Sequence, residues 1–428
     1  MNYPDSVQFL YALGNEIKTA KFGLERIRAV TDALGRPQDR GASVHVAGTN
    51  GKGSTCAMIE SALRAAGRRT GLFTSPHLSE PTERIRIDGR PVTAARFAAA
   101  FERVHAAVER LLEQGAIDLH TTYFETVTAM ALLIFAEEAV QTAVLEVGLG
   151  GRLDATNIVL PELCVISPID FDHEAWLGRG LDAIAGEKAG ILKPGVPAVF
   201  ARQRPEVAPT LHARAREVGA PVTRVEDWPI RQLEMDARGS RFELGPLRIE
   251  CPLAGEHQVE NAATAAVAAL QLGLPRPAIE AGIARARWPG RLERVSEDPE
   301  IILDGAHNPA GARALAAYIE RFYARRPVRL IFGAMRDKAV AEMGGILFPL
   351  AQEVILTAPR QARAVSPETL REIGGRAHVK VAAAIEDALA LAPAASAPVT
   401  FITGSLFLVA EARAILCPDA GRQAQAQA

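Results

Sequence analysis

His45-Val-Ala-Gly-Thr-Asn-Gly-Lys-Gly-Ser-Thr55 decides the fold. The residues before it, 42–46, have the composition of a short strand, and Thr55 to Arg64 read as a helix. Between them stand Gly48, Thr49, Asn50, Gly51, Lys52, Gly53 and Ser54. Small residues let backbone N–H groups approach an anion, and the start of the helix adds a partial positive charge. Lys52 is long enough to reach the outer phosphates of a nucleotide, and Ser54 or Thr55 offers a hydroxyl to Mg²⁺. The spacing departs from the usual phosphate-loop pattern, because Gly48 is three residues from Gly51 and Gly53 separates Lys52 from Ser54. A plain glycine-rich turn is the alternative reading. The order strand, loop, lysine, hydroxyl, helix favours phosphate binding.

At 428 residues the chain calls for two or three domains. Hydrophobic residues at 48% and charged residues at 23% suit a globular enzyme, and a net charge of -2 gives no bulk attraction to nucleic acid or an anionic membrane. Cys56, Cys164, Cys251 and Cys417 are too far apart for a metal motif and read as reduced thiols. No apolar run is long enough for a membrane span, and the first residues lack a basic region followed by an apolar one. A cytoplasmic location is expected, with neither nucleic acid nor membrane as partner.

Strand and helix patterns alternate onward from the loop, which implies an α/β fold. Helices are expected around Gly14 within residues 5–34, then a strand at 69–73. Ser75 and His77 follow at the C-terminal end of that strand, where open α/β sheets bind ligands. His77 is either structural or part of a site. Residues 83–89 alternate as an exposed strand ending in Asp88-Gly89, with Arg84 either solvated or holding a substrate carboxylate. Thr93 caps a helix to about residue 114, and a further helix runs from 121 to about 139, with Thr122, Phe124 and Glu125 at its start. Phe124 is core or a substrate contact.

Glu146 lies between valine and leucine in an apolar strand, where a carboxylate is costly unless paired or on a metal. A solvated edge position is the other reading. Gly148 to Gly151, Arg152 and Asp154 follow. A strand at 163–167 leads to Asp172 and His173, and Lys188 stands in an apolar, glycine-bounded segment, at a surface or buried. Strands are expected at 197–200 and 221–225, with short antiparallel strands within 226–250. An alanine-rich helix starts near Gly255, with His257 and Asn261 in its first turns. After Arg291, residues 296–300 read as a linker. A smaller doubly wound unit follows over 301–417, opening on Asp304-Gly-Ala-His-Asn-Pro309 with His307 in it. Residues 418–428 are expected to be a disordered tail.

These elements together resemble the Mur ligase superfamily. Within it, Gly48-Thr-Asn-Gly-Lys-Gly-Ser-Thr55, Ser75-Pro-His-Leu78, Thr122-Tyr-Phe-Glu125, Asp172-His173, Glu187-Lys-Ala-Gly-Ile191 and Asp304-Gly-Ala-His-Asn-Pro309 are similar to elements of folylpolyglutamate and dihydrofolate synthases. The resemblance spans roughly residues 15–415. It implies a P-loop ATP-binding parallel-sheet domain carrying the folate site over 1–295, then a smaller Rossmann-like glutamate ligase domain.

It further implies ATP and Mg²⁺ at two sites, with Ser54, Glu146, His173 and Lys188 as metal residues and Lys188 as a carbamate. Asn261 would meet the adenine, Asp304 the ribose or the glutamate, and His307 and Arg291 the phosphates. Ser75, His77, Arg84, Thr122, Phe124, Arg152 and Asp154 would line the acceptor site. Lys52, Lys188, His173 and Arg291 would carry the chemistry. L-glutamate, dihydropteroate and reduced folates are the implied substrates of a monomer, and Gly150-Gly-Arg-Leu-Asp154 resembles the bifunctional form, in which the aspartate contacts the pterin. Glutamylation of folates alone is the alternative. An ATP-driven binding protein would leave residues 74–78 and 121–125 without a purpose. A peptidoglycan-precursor ligase would be expected to carry a nucleotide-sugar domain before Gly48.

Overall fold

The computed structural model describes residues 1–13, 23–374, 379–392 and 398–418. The expected helix break at Gly14, most of the proline-rich segment 391–398 and nearly all of the 418–428 tail lie outside them.

The first sheet has eight strands: β1 (Ala42–Ala47), β2 (Thr70–Phe73), β3 (Ile85–Ile87), β4 (Arg90–Pro91), β5 (Thr142–Glu146), β6 (Leu163–Ile166), β7 (Ala198–Phe200) and β8 (Val222–Arg224). Their spatial order is β4-β3-β2-β5-β1-β6-β7-β8. β1, β2 and β5 to β8 run parallel, and β3 and β4 are antiparallel additions at one edge. The central parallel strands β1, β5 and β6 are almost wholly buried, as helices on both faces require, which explains their largely apolar composition. On one face the helix Lys52–Ala65 packs with Glu256–Gln271 and Arg276–Arg285. Their small residues allow close approach: a Cβ on Gly282 would fall 2.3 Å from the Cα of Ala62. On the other face the helices Tyr3–Ala12, Ala94–Glu113 and Tyr123–Glu137 form a separate core around Phe97, Phe101 and Met130.

Three antiparallel strands, β9 (Ile230–Met235), β10 (Ser240–Leu244) and β11 (Leu247–Cys251), fulfil the expectation for 226–250. Phe242 and Leu244 of β10 and Ile249 of β11 join the core of the first sheet.

The third sheet has order β12-β13-β17-β14-β15-β16, with β12 (Glu293–Glu297), β13 (Glu300–Leu303), β14 (Val328–Phe332), β15 (Glu353–Leu356), β16 (Val379–Val381) and β17 (Val399–Thr403). All its strands are parallel except β12. The expected linker 296–300 is corrected here. These residues are the end of β12, a turn at Asp298-Pro299 and the start of β13, so the sheet change falls before Glu293. Turn residues mark a hairpin and a linker alike, and the antiparallel partner is invisible to local composition. Among the described residues, no helix is long and apolar enough to cross a membrane.

Candidate active site

Four loops leave the C-terminal ends of β1, β2, β5 and β6. Because β5, β1 and β6 are adjacent and in register, Val46 standing beside Glu146, these loops converge at one edge of the sheet. This is where the strand order reverses around β1, the usual ligand crevice of such sheets.

The helix after β1 begins at Lys52, three residues earlier than its composition suggested, because Gly51 sits at φ 80 and caps it. That left-handed angle suits glycine, and a side chain at Gly51 would also collide with the Asn261 amide, 2.1 Å from a Cβ. A Cβ on Gly53 would fall 2.9 Å from the Trp288 ring. The loop is further fixed by Thr49 Oγ1, which donates to the Asp170 carbonyl at 2.9 Å, and by the Ser167 hydroxyl, which donates to Asn50 O at 2.8 Å. Lys52 Nζ rests on Thr49 O at 3.1 Å and Gln258 donates to Ser54 Oγ at 3.2 Å.

A cavity of about 330 Å³ opens over this loop. It is lined by Gly48 to Ser54, Glu146, His173, Lys188, His257, Asn261, Arg291, Asp304 and His307, from both large sheets. A second cavity of about 710 Å³ is lined by Ser75, His77, Arg86, Trp288 and Arg413 among others. Gly53, Ser75, Pro76, Glu146, Arg291 and Leu406 line both. The two spaces therefore meet where a carboxylate, a guanidinium and a backbone turn are in reach of each.

The electrostatics of the junction follow from burial. Glu146 is 4% exposed and accepts the Ser75 amide at 2.9 Å. Burial raises its carboxyl, with Lys52 and Arg291 among the groups opposing the rise. Lys188 is buried, donates to Gly48 O at 2.8 Å, and is pulled down to about 7 by burial and then by the charge of Lys52. His173 stands at φ 54, left-handed for a non-glycine residue, with its own N–H donating to Asp172 Oδ1. Such backbone costs on the order of 1 kcal/mol and recurs at functional sites. Burial lowers the His173 imidazole to about 4, so its ring is a neutral donor of a lone pair. His257 and His307 are likewise lowered to about 4 by burial.

The third sheet is clasped onto this edge. Asn308 donates to Asn50 Oδ1 at 3.0 Å and to Asp172 Oδ2 at 3.2 Å, and Lys338 pairs with Asp172 Oδ1 at 2.9 Å. Burial alone would raise the Asp172 carboxyl, but Lys338, His173 and His307 together hold it well below the usual range. Arg291, half-buried, lies over Gly305, and Asp304 accepts the Leu292 and Ala306 amides at 3.0 Å each. Asn308, Lys338, Arg86, Trp288 and Gln258 had no assigned role in the sequence. Gly333-Ala-Met-Arg-Asp-Lys338 after a strand was the one local signal that could have found Lys338.

Several residues expected at the acceptor site make contacts within the fold. Asp154 is 6% exposed and caps residues 155–158. Its Oδ2 accepts the Gly148 and Leu149 amides at 2.9 Å, and its Oδ1 accepts the Thr156 amide and hydroxyl. Arg152 lies on the surface against Glu187 at 2.9 Å and reaches neither cavity. Thr122 and Glu125 form a capping box, and Glu125 also pairs with Arg26 at 3.2 Å. Phe124 is core, packed on Phe73 and against Gly148. Arg84 is spent on His77 Nδ1 at 2.8 Å and on the Tyr123 face, and Arg86 takes its place in the cavity wall. Ser75 and His77 do line that cavity.

The Mur ligase middle domain matches residues 46–269, and the glutamate ligase domain of Mur ligases matches 290–406. A folylpolyglutamate synthase of Lacticaseibacillus casei is 36% identical, covering 97% of this chain and 99% of its own. The chain belongs to the folylpolyglutamate synthase family of Mur ligases. It is an ATP-dependent glutamate ligase. A dihydrofolate synthase/folylpolyglutamate synthase of Escherichia coli is 37% identical over 93% of this chain and 92% of its own. Among solved members of the family, Mycobacterium tuberculosis folylpolyglutamate synthase complexed with ADP and AMPPCP superposes with a TM-score of 0.90 at 35% identity, over 97% of this chain and 99% of that one. An E. coli family member solved with DHPP and ADP superposes with a TM-score of 0.86 at 34% identity, over 97% and 98%.

Proposed function

We propose that this ligase joins L-glutamate both to dihydropteroate and to the γ-carboxylate of tetrahydrofolates, through an acyl phosphate, as a monomer. The meeting of the two cavities at Ser75, Glu146 and Arg291 carries the reading, since each chain supplies both a phosphate loop and an acceptor pocket. ATP binds with its phosphates on residues 48–54, where the helix start and Lys52 offset their charge. Asn261 and His257 stand beside that loop for the base, and Asp304 and His307 face the same cavity for ribose and phosphate. Arg291 steadies the γ-phosphoryl oxygens while an acceptor carboxylate oxygen attacks phosphorus and ADP leaves. The glutamate amine then attacks the acyl carbon, phosphate departs, and an amide remains.

Mg²⁺ fits the residues present. Ser54 and Glu146 offer oxygen to the nucleotide cavity, and among the described residues only the Ser75 amide bonds the Glu146 carboxylate. His173 and Lys188 complete a second group. When bound, the metal neutralises phosphate charge and orients it. A lysine near half-neutral at pH 7 can add carbon dioxide, losing a proton to become an oxygen donor, and this supports a carbamate on Lys188.

Asp154, bonded within its own loop, adds no separate support for dihydropteroate. Support comes instead from relatives of M. tuberculosis, Bacillus subtilis and E. coli named for both activities. The L. casei relative, named for folylpolyglutamate synthesis alone, favours the narrower reading. ADP formation by the pure chain with glutamate and each acceptor in turn tests this. Turnover of tetrahydrofolate without dihydropteroate would leave the narrower activity, and turnover of neither would reject both.

A further inference from the structure

Outside both cavities, the helix Ala94–Glu113 and the segment entering Tyr123–Glu137 bring three ligating side chains together. His105 Nδ1 lies 3.8 Å from Glu109 Oε1, and His120 Nε2 lies 3.8 Å from the same oxygen. The three atoms are all within 4.8 Å of one another. Both ring nitrogens are buried and without a hydrogen-bond partner. The state of His120 is fixed by its other nitrogen. Nδ1 sits 2.9 Å from the Thr121 carbonyl, which only accepts, so Nδ1 carries a proton and Nε2 is the nitrogen left as a lone pair in the neutral, metal-binding ring. In that form the His120 lone pair is buried beside a carboxylate oxygen with no donor to satisfy it, an arrangement that buried polar groups avoid.

We propose that His105, Glu109 and His120 bind a divalent transition metal, zinc above all. Two imidazoles and a carboxylate are its common ligands, and the Thr121 carbonyl is the outer hydrogen bond that orients a ligating histidine. Zn–N bonds of about 2.0–2.1 Å place tetrahedral ligands about 3.3 Å apart, so each histidine–glutamate pair must close by about half an ångström. Glu109 is half-exposed and supplies that freedom. Burial lowers the His105 pKa, against the opposing charge of Glu109. Phe9 lies 4.6 Å from the His105 ring and 5.6 Å from the His120 ring, and Phe101 stacks on His105 at 5.5 Å, covering the histidine side of the site. The metal would tie residues 114–122 to the long helix and, through Phe9, to the helix Tyr3–Ala12. That first helix bonds the acceptor-cavity wall through Tyr3 to Glu80 and Tyr11 to His77. The site is thus a brace for the acceptor pocket.

Chelator-stripped full-length chain, titrated with Co²⁺ in excess Mg²⁺, should bind one equivalent with the visible absorption of tetrahedral cobalt, and Zn²⁺ should displace it. His120→Gln and Glu109→Gln should each weaken binding at least about ten-fold, whereas His173→Ala should retain it. Zn²⁺ should also raise the thermal unfolding midpoint of the wild type but not of Glu109→Gln, a surface substitution that decides the matter if His120→Gln does not fold. Absence of the one-equivalent band, or a band unchanged in both variants, would overturn the site.

Discussion

Asp154→Ala removes the acceptor for four donors at once, the amides of Gly148, Leu149 and Thr156 and the Thr156 hydroxyl. Thr156 is fully buried, so its amide loses its partner with no water to replace it, at about 1–3 kcal/mol. Gly148 and Leu149 line the nucleotide cavity, where water can reach them, and each loses less than a buried amide would. The sum is about 3–5 kcal/mol of stability. The loop that follows Glu146 then loosens, and Glu146 belongs to both cavities. Urea unfolding should show the destabilisation, and kcat/KM should fall by a similar factor with dihydropteroate and with tetrahydrofolate. Asp154→Asn, which keeps one carbonyl oxygen, should lose about half as much stability. A stable Asp154→Ala chain, selectively impaired on dihydropteroate, would refute a purely structural Asp154.

Lys52→Ala should lower turnover with any acceptor by about 10²–10³-fold, because one charge on the transferring phosphates is lost. Its circular dichroism and unfolding should stay those of the wild type, and unchanged turnover would remove Lys52 from the site. Asp172→Asn, Lys338→Met and their combination should show a coupling of about 1–3 kcal/mol in kcat/KM, since the pair joins the two large sheets over the phosphate loop. Strictly additive losses would mean that the clasp does not position the reaction. In ¹³CO₂-equilibrated buffer Lys188 should give a carbamate carbon resonance that Lys188→Ala lacks. Its absence from fully active protein would exclude the modification.

What was legible in the sequence was whatever depends on neighbours along the chain. The loop at 48–55 announces itself because strand, glycines, lysine and helix must be contiguous to cradle phosphate. Glu146 and Lys188 stood out because a charge in an apolar run needs a reason, and both line the nucleotide cavity. The acceptor side was less legible. Asp154, Thr122 and Arg84 are polar residues beside glycines or at element ends. There a capping role and a substrate role demand the same side chains. Only the partner atoms tell them apart: Thr156 and two amides for Asp154, Glu125 for Thr122, His77 for Arg84. Lys338 had only its polar loop after a strand to mark it, because its partner Asp172 is 166 residues away. Trp288 beneath Gly53 was silent, since its meaning lies in a glycine of another element.

The most direct measurement follows the oxygen. Dihydropteroate labelled with ¹⁸O in its carboxylate is incubated with the pure chain, ATP, Mg²⁺ and L-glutamate, and the released phosphate is weighed by mass spectrometry. Attack of the carboxylate on the γ-phosphorus, followed by displacement at carbon, places one ¹⁸O in each phosphate released. Phosphate released with amide product but without label would contradict the acyl phosphate and the assignment of the junction at Glu146 and Arg291 as its place of formation.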